Sequence, residues 1–405
     1  MTLRERLEAI EGKAQIAEPT RKVSHPTGWE PGIVWDPSKG GTITTGPMSG
    51  ELDPAIWAEL IADWGLNPDT TEIVDGSVQV RGWDAGVGDG KVQRMKYYRA
   101  TLRARRAGVV AADLEALYIE ARKAKPAKKV KTGGETLLVC LADWQASNPD
   151  FGGIEAQVQA IADLNESIPQ RVADLRKSGH EVGTIALVGL GDLVEGTCGF
   201  YPSQEYRVEV DRREQVKMVR RGLRDIIMSC APHAESIKVA CVPGNHGENR
   251  KDGKSFTTVG DNDDVAVFEQ VAEILSQNSN GAFDHVQWRI PGDEIAIAVE
   301  LSGQIVAFTH GHVARGSGNA AEVMWNWWKN QAMGRHYESV ADATMLFTGH
   351  YHHLCVKEQT GRAVFVCPSL TRVGEYFANS AGVTTKAGTL SVLIDESGWS
   401  NLHIL

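Results

Sequence analysis

The sequence predicts an α/β layered fold for its larger, C-terminal part, preceded by a small α+β domain. From Thr136 onward, apolar runs alternate with amphipathic stretches in the order strand, helix, strand, helix, strand, which is typical of layered α/β proteins. Before this region, KPAKKVKTGG contains basic residues, Pro and Gly without apolar periodicity, which indicates a linker. We therefore predict a basic accessory domain at 1–132 and a second domain at 133–405.

The N-terminal domain is expected to begin with a short helix and poorly ordered chain over residues 1 to about 45, followed by a helix, two strands and another short helix. LDPAIWAELIADWG has the spacing of a helix, with Asp53 as N-cap, Pro54 at the first position and Gly65 as the stop. TEIVDGSVQVRGW and VQRMKYYRATLRARR are typical of strands and are joined by a glycine-rich loop. ADLEALYIEARKA has the pattern of a short amphipathic helix.

The second domain begins with TLLVCLADW, a continuous apolar run that predicts a strand covered on both faces. A helix is predicted from Ile154 to about Lys177, then a buried strand, TIALVGLGD, a helix over VDRREQVKMVRRGLRDIIMSC and the strand SIKVACVPGNH. The later segments are rich in strands, namely EIAIAVEL, QIVAFTHGH, ATMLFTGHYHH, RAVFVCPS and TLSVLID.

Composition limits the class of protein. The chain has 405 residues, is 42% hydrophobic and 23% charged, and has no apolar run near the roughly 18 residues of a membrane span. Its N-terminus alternates charges and lacks the apolar core of a signal peptide. The six cysteines form no CxxC pair. We therefore expect a reduced, cytoplasmic protein.

Charge is unevenly distributed along the chain. The net charge is -10, but Arg94–Lys131 contains 12 Lys and Arg against three acids and thus carries +9. Two interpretations stay open, a phosphate-contacting accessory surface and a solvated linker. The candidate phosphate contacts are Arg99, Arg103, Arg105 and Arg106.

Metal-binding residue types recur at the C-terminal ends of predicted strands. These residues are Asp143, Gln145, Asp192, Asn245, His246, His310, His312, His350, His352 and His353. Because ligands of open α/β sheets gather beyond the carboxyl ends of strands, five such ends can converge on one site. Carboxylate, amide oxygen and imidazole suit Mn²⁺, Fe or Zn²⁺, and no motif contributes a thiolate. Two such ions about 3.5–4 Å apart can hold the attacking and leaving oxygens of an in-line displacement.

In their order, Asp-x-Gln, Gly-Asp, Gly-Asn-His, His and Gly-His-x-His, these motifs resemble the calcineurin-like metallophosphoesterase superfamily from about Thr136 to Leu405. The resemblance implies two mixed sheets flanked by helices, an αββα four-layer sandwich. It also implies two divalent metal ions, Mn²⁺ first, with Fe, Zn²⁺ and Mg²⁺ as alternatives. One ion would be bound by the residues Asp143, Gln145, Asp192 and His352. The other would be bound by Asp192, which bridges, with Asn245, His310 and His350.

The resemblance further implies that His246 binds no metal and instead protonates the leaving oxygen, a role that suits an imidazole. This chain has Gln145 where the family usually has His, and an amide oxygen is a weaker donor than imidazole. We interpret Asp-x-Gln as a phage-type trait, which implies the cytoplasm of a bacterium or of a phage-infected host. Gly247 lengthens the usual Gly-Asn-His-acid pattern. Glu195 and His312 are candidates to contact ligands or substrate, and a partly solvated loop position is the simpler expectation for Glu195.

Several residues have simpler interpretations. The tryptophans Trp325, Trp327 and Trp328 suit core packing or a homodimer interface better than stacking on bases. The basic helix at 212–224 has the pattern of a solvated surface, although it could guide a polyanion. We expect His353 to lie outside the metal site.

We expect a two-metal phosphoesterase that hydrolyses phosphodiesters, with DNA as the preferred substrate because of the basic segment and a similarity to the DNA-repair nuclease branch. One alternative is a phosphomonoesterase or small-molecule phosphodiesterase. Another is a nucleic-acid-binding protein with a vestigial metal site, which Gln145 favours. The sequence does not specify the oligomeric state or a partner ATPase, and it indicates no membrane partner.

Overall fold

The structure is a computed structural model that describes residues 25–36, 40–49, 52, 54–68, 71–74, 76–86, 92–104, 114–127, 133–200, 204–251, 253–371 and 386–405. The chain divides by its contacts into two compact units, Met1–Gly108 and Val109–Leu405. The described residues form several sheets and helices, which confirms the mixed α/β class. Among the described helices, none is both long enough and apolar enough to span a bilayer.

The described residues of the first unit form a five-stranded antiparallel sheet and one helix. Its elements are β1 (Gly32–Asp36), β2 (Gly40–Thr44), α1 (Pro54–Asp63), β3 (Thr71–Ile73), β4 (Gln79–Gly86) and β5 (Val92–Ala104). The long β5 pairs with β2, β3 and β4. Alternate residues of β5, among them Tyr98 and Leu102, pack with Trp57 of α1. The apolar residues on one face of the strand and those on one face of the helix therefore form a single core. Asp53, the predicted N-cap, lies outside the described residues.

The second unit contains the remaining elements. Its helices are α2 (Leu114–Lys123), α3 (Gly153–Lys177), α4 (Gln204–Arg207), α5 (Arg212–Cys230), α6 (Asp263–Ser276), α7 (Ala320–Gly334) and α8 (Glu338–Ala341). Its strands are β6 (Glu135–Leu141), β7 (Val182–Gly189), β8 (Ser236–Cys241), β9 (Arg250–Lys251), β10 (Lys254–Ser255), β11 (Val286–Arg289), β12 (Ala296–Leu301), β13 (Gln304–Thr309), β14 (Met345–Thr348), β15 (Cys355–Gln359), β16 (Arg362–Val366), β17 (Leu390–Asp395) and β18 (Gly398–Ile404).

Two sheets organise this unit. The six-stranded sheet has the order β11-β8-β7-β6-β17-β18, in which the first four strands are parallel. The five-stranded sheet has the order β12-β13-β14-β16-β15, and β13, β14 and β16 are parallel. The parallel strands are almost continuously buried, as their apolar runs predict.

Three apolar clusters show how the sheets and helices pack. Leu138 of β6 and Val188 of β7 share a cluster with Phe308 of β13 and Phe347 of β14, so the two sheets bury a common interface. A second cluster joins the other face of the six-stranded sheet to α2, α3, α5 and α6. A third joins the five-stranded sheet to α7 and α8. Trp328 belongs to this third cluster, and its indole N–H donates to the carbonyl of Val340 at 2.8 Å, as expected of core packing.

The contacts divide the chain after Gly108, whereas the boundary predicted at residue 132 lies outside the described residues. Helix α2 belongs to the second unit because Leu117 and Ala121 are fully buried in its core and the helix packs on α6. Tyr118 donates a hydrogen bond to Glu273 of α6 at 3.2 Å. The apolar face of α2 therefore packs on α6, which lies far from it in the sequence.

The expectation of a solvated basic surface on α5 is wrong at two positions. Arg220 and Arg224 are only 6% and 3% exposed. Arg220 donates to Gln270 of α6 at 3.1 Å, and Arg224 to Glu120 of α2 at 2.5 Å. These guanidinium groups join three helices, so they are not available to guide a polyanion.

Candidate metal centre

The predicted ligands lie where their strands end. Asp143 follows β6, Asp192 follows β7 and Asn245 follows β8, at the carboxyl edge of the parallel part of the six-stranded sheet. His310 comes directly after β13, and His350 follows β14 at the same edge of the five-stranded sheet. Because both sheets share one buried interface, these loops come together as the strand-end rule predicts.

Asp192, His310 and His350 form the centre of the cluster. One potential ligand atom from each lies within 4.8 Å of the others. Asp192 and His310 are almost fully buried, and His310 Nε2 lies 3.0 Å from Asp192 Oδ2 and 3.1 Å from Asn245 Oδ1. The structure thus brings together the whole set predicted for the second metal.

The hydrogen bonds of His310 show what this cluster requires. Its Nδ1 lies 2.7 Å from the carbonyl of Leu190, and since a carbonyl only accepts, Nδ1 carries a proton. In the neutral ring the Nε2 lone pair then points at two acceptor oxygens. A cation at Nε2 resolves this conflict, and it can be either a proton or a metal ion. A metal-binding His typically donates its second ring N–H in this manner.

Electrostatics in the metal-free centre agree with this geometry. Burial lowers the pKa of His310, but the charge of Asp192, the hydrogen bond to it and the charge of Asp143 together outweigh burial, and the pKa rises to about 9. Burial acts to raise the pKa of Asp192, yet the charges of His310 and His246 hold it below its usual value. Burial and then His310 lower the pKa of His350 to about 3, so its imidazole is neutral, which is the form that binds metals.

Asp143 and His352 form the neighbouring part of the site. Asp143 is fully buried, and its two oxygens accept the backbone N–H of His350 at 3.1 and 3.0 Å. His352 Nε2 lies 3.4 Å from Asp143 Oδ1. At Gly349, a Cβ atom would lie 2.8 Å from Asp143 Oδ2 and 3.3 Å from His310 Nδ1. Only glycine therefore lets this turn pass between the two groups.

Gln145 lies at the same centre and has an unsatisfied oxygen. The residue is 3% exposed, and its Nε2 is 3.2 Å from His246 Nε2. Its Oε1 is buried without a hydrogen-bond partner among the described residues. A buried amide oxygen without a partner costs free energy. A metal ion would satisfy this atom, so Gln145 fits the position that sequence reasoning gave it.

His246 lies beside the cluster, with Glu195 behind it. His246 Nδ1 donates to the backbone carbonyl of Glu195 at 2.8 Å and is 3.4 Å from its carboxylate Oε2. Burial lowers the pKa of His246, but the carboxylates of Glu195 and then Asp192 outweigh burial and raise the pKa. Glu195 is fully buried, so the expectation of a partly solvated loop carboxylate is wrong. Asn148 donates to the same carboxylate at 3.0 Å, and Gln204 at 3.4 Å.

The other two histidines of the motifs differ in position. The ring of His312 is 5.4 Å from that of His310, and its Nε2 is 3.4 Å from Glu248 Oε1. His312 Nδ1 is buried without a hydrogen-bond partner within the described part of the chain. His353 Nδ1 lies 2.7 Å from the carbonyl of Tyr351. His312 thus borders the cluster, as expected, whereas His353 contacts its own turn.

The backbone is strained at the predicted ligands. Five of the seven residues predicted to bind metal have a positive φ although none is glycine. Their φ values are 50° at Asp143, 42° at Gln145, 53° at Asp192, 72° at His350 and 58° at His352. Such conformations cost about 1–3 kcal/mol each and cluster at functional sites in proteins. The strained backbone is thus a second observation, beside the metal-binding residue types, that points to these strand ends.

Buried polar residues that sequence reasoning missed support these loops. Asp264, in the first turn of α6, accepts the backbone N–H groups of Asp192, Leu193 and Gly244 at 2.8, 2.9 and 3.1 Å. Gln157 of α3 donates to the carbonyl of Gln145 at 2.9 Å. The available signal was weak, because an acid in a first helical turn usually indicates only helix capping.

No protein-family model and no curated protein matches the sequence. Solved structures do match. A predicted phosphoesterase from Streptococcus pneumoniae is 12% identical, with 65% of this chain and 85% of that chain covered and a TM-score of 0.28. Vps29 with zinc from Entamoeba histolytica is 14% identical, with 65% and 88% covered and a TM-score of 0.29. An archaeal phosphodiesterase is 12% identical, with 66% and 99% covered and a TM-score of 0.29.

Proposed function

We propose that this chain is a metal-dependent phosphoesterase of the calcineurin-like superfamily, with the αββα layer order of that family and a phage-type Asp-x-Gln motif. The observation that carries the proposal is the His310 Nε2 lone pair, which points at oxygens of Asp192 and Asn245 and requires a cation. The unsatisfied Oε1 of Gln145 at the same centre supports it independently.

The residues that would hold two divalent ions are Asp143, Gln145, Asp192, Asn245, His310, His350 and His352. Carboxylate, amide and imidazole donors without thiolate suit Mn²⁺ first, and Fe or Zn²⁺ next. Two bound ions would supply positive charge for a phosphoryl group and would lower the pKa of water. The neutral imidazole of His350 fits this role directly, whereas His310 would have to release a proton on binding, because metal ligands must be deprotonated.

His246 is the residue that we propose protonates the leaving oxygen. Its Nδ1–H is fixed on the Glu195 carbonyl, which leaves Nε2 on the side of Gln145 and the metal ligands. Glu195 stabilises the imidazolium form through its buried carboxylate. A raised pKa keeps a larger fraction of His246 protonated near neutral pH, which a general acid requires. Once the proton is given away, the neutral ring keeps its Nδ1 hydrogen bond.

For the substrate we propose a phosphodiester of nucleic acid, and DNA in particular. The +9 segment Arg94–Lys131 supports this choice. Within it, Arg99 donates to the carbonyl of Gly28 and Arg103 pairs with Glu72, whereas Arg105, Arg106 and 128–131 lie outside the described residues. A nuclease that contacts several phosphates should lose affinity steeply with salt, and an enzyme for small phosphate esters should not.

The test uses the full chain, stripped with chelator and reloaded with Mn²⁺. Labelled linear DNA, an aryl phosphodiester and an aryl phosphomonoester are offered in parallel. We expect metal-dependent DNA cleavage that falls about 10²–10⁴-fold in His246→Ala, with metal binding by calorimetry unchanged. His336→Ala, an exposed histidine outside the site, is the matched control and should keep full activity.

The other outcomes distinguish the alternatives. Cleavage of the small esters alone would retain the metal chemistry and reject DNA as the substrate. If the protein binds metal but cleaves none of the three substrates, a nucleic-acid-binding protein with a vestigial metal centre is favoured. Failure to bind any divalent ion would refute the proposed centre itself.

A further inference from the structure

A short loop after β7 packs directly on His246. The ring of Phe200 lies parallel to the imidazole of His246, with 4.2 Å between centroids and 4° between planes. Gly199, at φ 97°, approaches the segment around Arg250 so closely that a Cβ atom at Gly199 would lie 2.8 Å from the Cβ of Arg250. At Gly196, a Cβ would lie 2.9 Å from the carbonyl oxygen of His246. The loop is therefore fitted against His246 and the segment that follows it.

Phe200 is itself held by Arg250. The guanidinium carbon lies 4.3 Å from the centroid of the Phe200 ring. Since His246 already covers one face at a similar distance, the guanidinium occupies the other face. Arg250 Nε donates to Glu248 Oε2 at 2.7 Å, and Glu248 in turn lies beside His312. The phenyl ring is thus enclosed between a cation with a fixed position and the imidazole.

The stack restricts a motion of His246 that its hydrogen bonds leave free. The contacts at Nδ1 and Nε2, to Glu195 and Gln145, lie in the plane of the imidazole. They fix the direction of the two nitrogens, but the ring can still tilt about the line that joins its partners. A second ring parallel to the imidazole opposes this tilt, because tilting would push the rings into each other.

We propose that Phe200, held by Arg250, is a positioning residue that fixes the plane of the His246 ring for proton transfer to the leaving group. This inference rests on the proposed function of His246. In the step concerned, the oxygen of a water-derived hydroxide forms a bond to phosphorus while the bond between phosphorus and the leaving oxygen breaks, and the electron pair of the broken bond goes to the leaving oxygen. The oxygen takes the proton from His246 Nε2, and the imidazole becomes neutral. Phe200 touches neither substrate nor metal ligand in this role.

The experiment depends on the leaving group. An alkoxide leaving group needs the proton, whereas a nitrophenolate leaves readily without it. We compare Phe200→Leu, which removes the flat ring, with Phe200→Tyr, which keeps it. Two diesters are used, one with an alkyl and one with a nitrophenyl leaving group. Phe256→Leu, at a phenylalanine that is 67% exposed shortly after β10, is the matched control.

For Phe200→Leu we expect kcat on the alkyl diester to fall at least about 10-fold, with KM unchanged, because general acid catalysis contributes about 10²–10⁴-fold. On the nitrophenyl diester kcat should stay within about twofold of wild type, since departure there needs little protonation. Phe200→Tyr should restore the alkyl rate, and Phe256→Leu should not change it. Arg250→Met, which retains the loop, should show the same selective loss in weaker form.

Equal losses on both diesters, or no loss on either, would overturn the positioning role. If wild type cleaves neither diester with metal bound, the proposed function fails, and the positioning role is then tested in metal-free protein. There, solvent exchange of the His246 Nδ1 proton should be faster in Phe200→Leu than in Phe256→Leu. An unchanged exchange rate would overturn the inference independently of activity.

Discussion

Asp264 offers a quantitative test of how the candidate centre is held. Its carboxylate is 1% exposed and accepts three backbone N–H groups, two from the loop that carries Asp192 and one from Gly244. The same loop turns with φ 53° at Asp192, a conformation that persists only where its surroundings enforce it. We therefore predict that Asp264→Ala loosens the loop and weakens metal binding.

The magnitude follows from the three hydrogen bonds. A buried N–H left without an acceptor costs about 1–3 kcal/mol, so three would cost roughly 3–9 kcal/mol. Removing the carboxylate offsets part of this cost, because burial and then the charge of Asp192 raise the pKa of Asp264 to about 7. We expect a net loss in the lower part of the range, about 3–5 kcal/mol. For a unit of this size that lowers Tm by roughly 5–15 °C.

The assay combines calorimetric unfolding with hydrogen exchange in metal-free protein. Peptides that contain the amides of Leu193 and Gly244 should lose protection in Asp264→Ala. Glu269→Ala is the matched control, because Glu269 is an exposed acid on the same helix, where a substitution usually changes stability by at most about 0.5 kcal/mol. If the two variants unfold at the same temperature and both amides stay protected, the bracing role of Asp264 is refuted.

Two further predictions concern the metal ligands. Gln145→His should tighten Zn²⁺ binding, because imidazole is a stronger donor to Zn²⁺ than an amide oxygen. The control Gln159→His, on the exposed side of α3, should leave the affinity unchanged. If calorimetry gives equal Zn²⁺ affinities for the two variants, Gln145 does not belong to the ligand set. Metal binding at pH 7–8 should release a proton from His310, because its pKa of about 9 keeps it protonated without metal and only the neutral ring binds. The binding heat should therefore depend on the ionisation enthalpy of the buffer, and a heat independent of buffer would contradict this assignment.

Sequence reasoning placed the candidate ligands at strand ends because two local signals coincide there. An apolar run that ends in Asp or His identifies both the strand and the residue at its carboxyl end, as at Asp192 and His310. Parallel pairing then brings these ends to one edge without further information. The same reasoning correctly gave the bounds of α3 and the burial of Trp328.

The residues that sequence reasoning missed share a different property. Asp264 and Gln157 form hydrogen bonds with backbone groups of other segments, and nothing in their own sequence neighbourhood indicates it. An acid in a first helical turn or an amide on an amphipathic helix is usually a surface group. The expectation that Arg220 and Arg224 are solvated was wrong for the same reason, since only the packing of α2 and α6 on α5 shows that they are buried.

The strained backbone explains why such bracing is necessary. Five left-handed residues at about 1–3 kcal/mol each would add up to several kcal/mol of local strain. In the metal-free chain this cost must be offset by contacts to the loops, and buried acceptors such as Asp264 supply them through backbone N–H groups. Because these hydrogen bonds are made to the backbone, they do not depend on which side chain the loop residue carries. A change of the side chain at position 145 should therefore leave the geometry of the loop intact, because Gln157 donates its hydrogen bond to the backbone carbonyl of that residue.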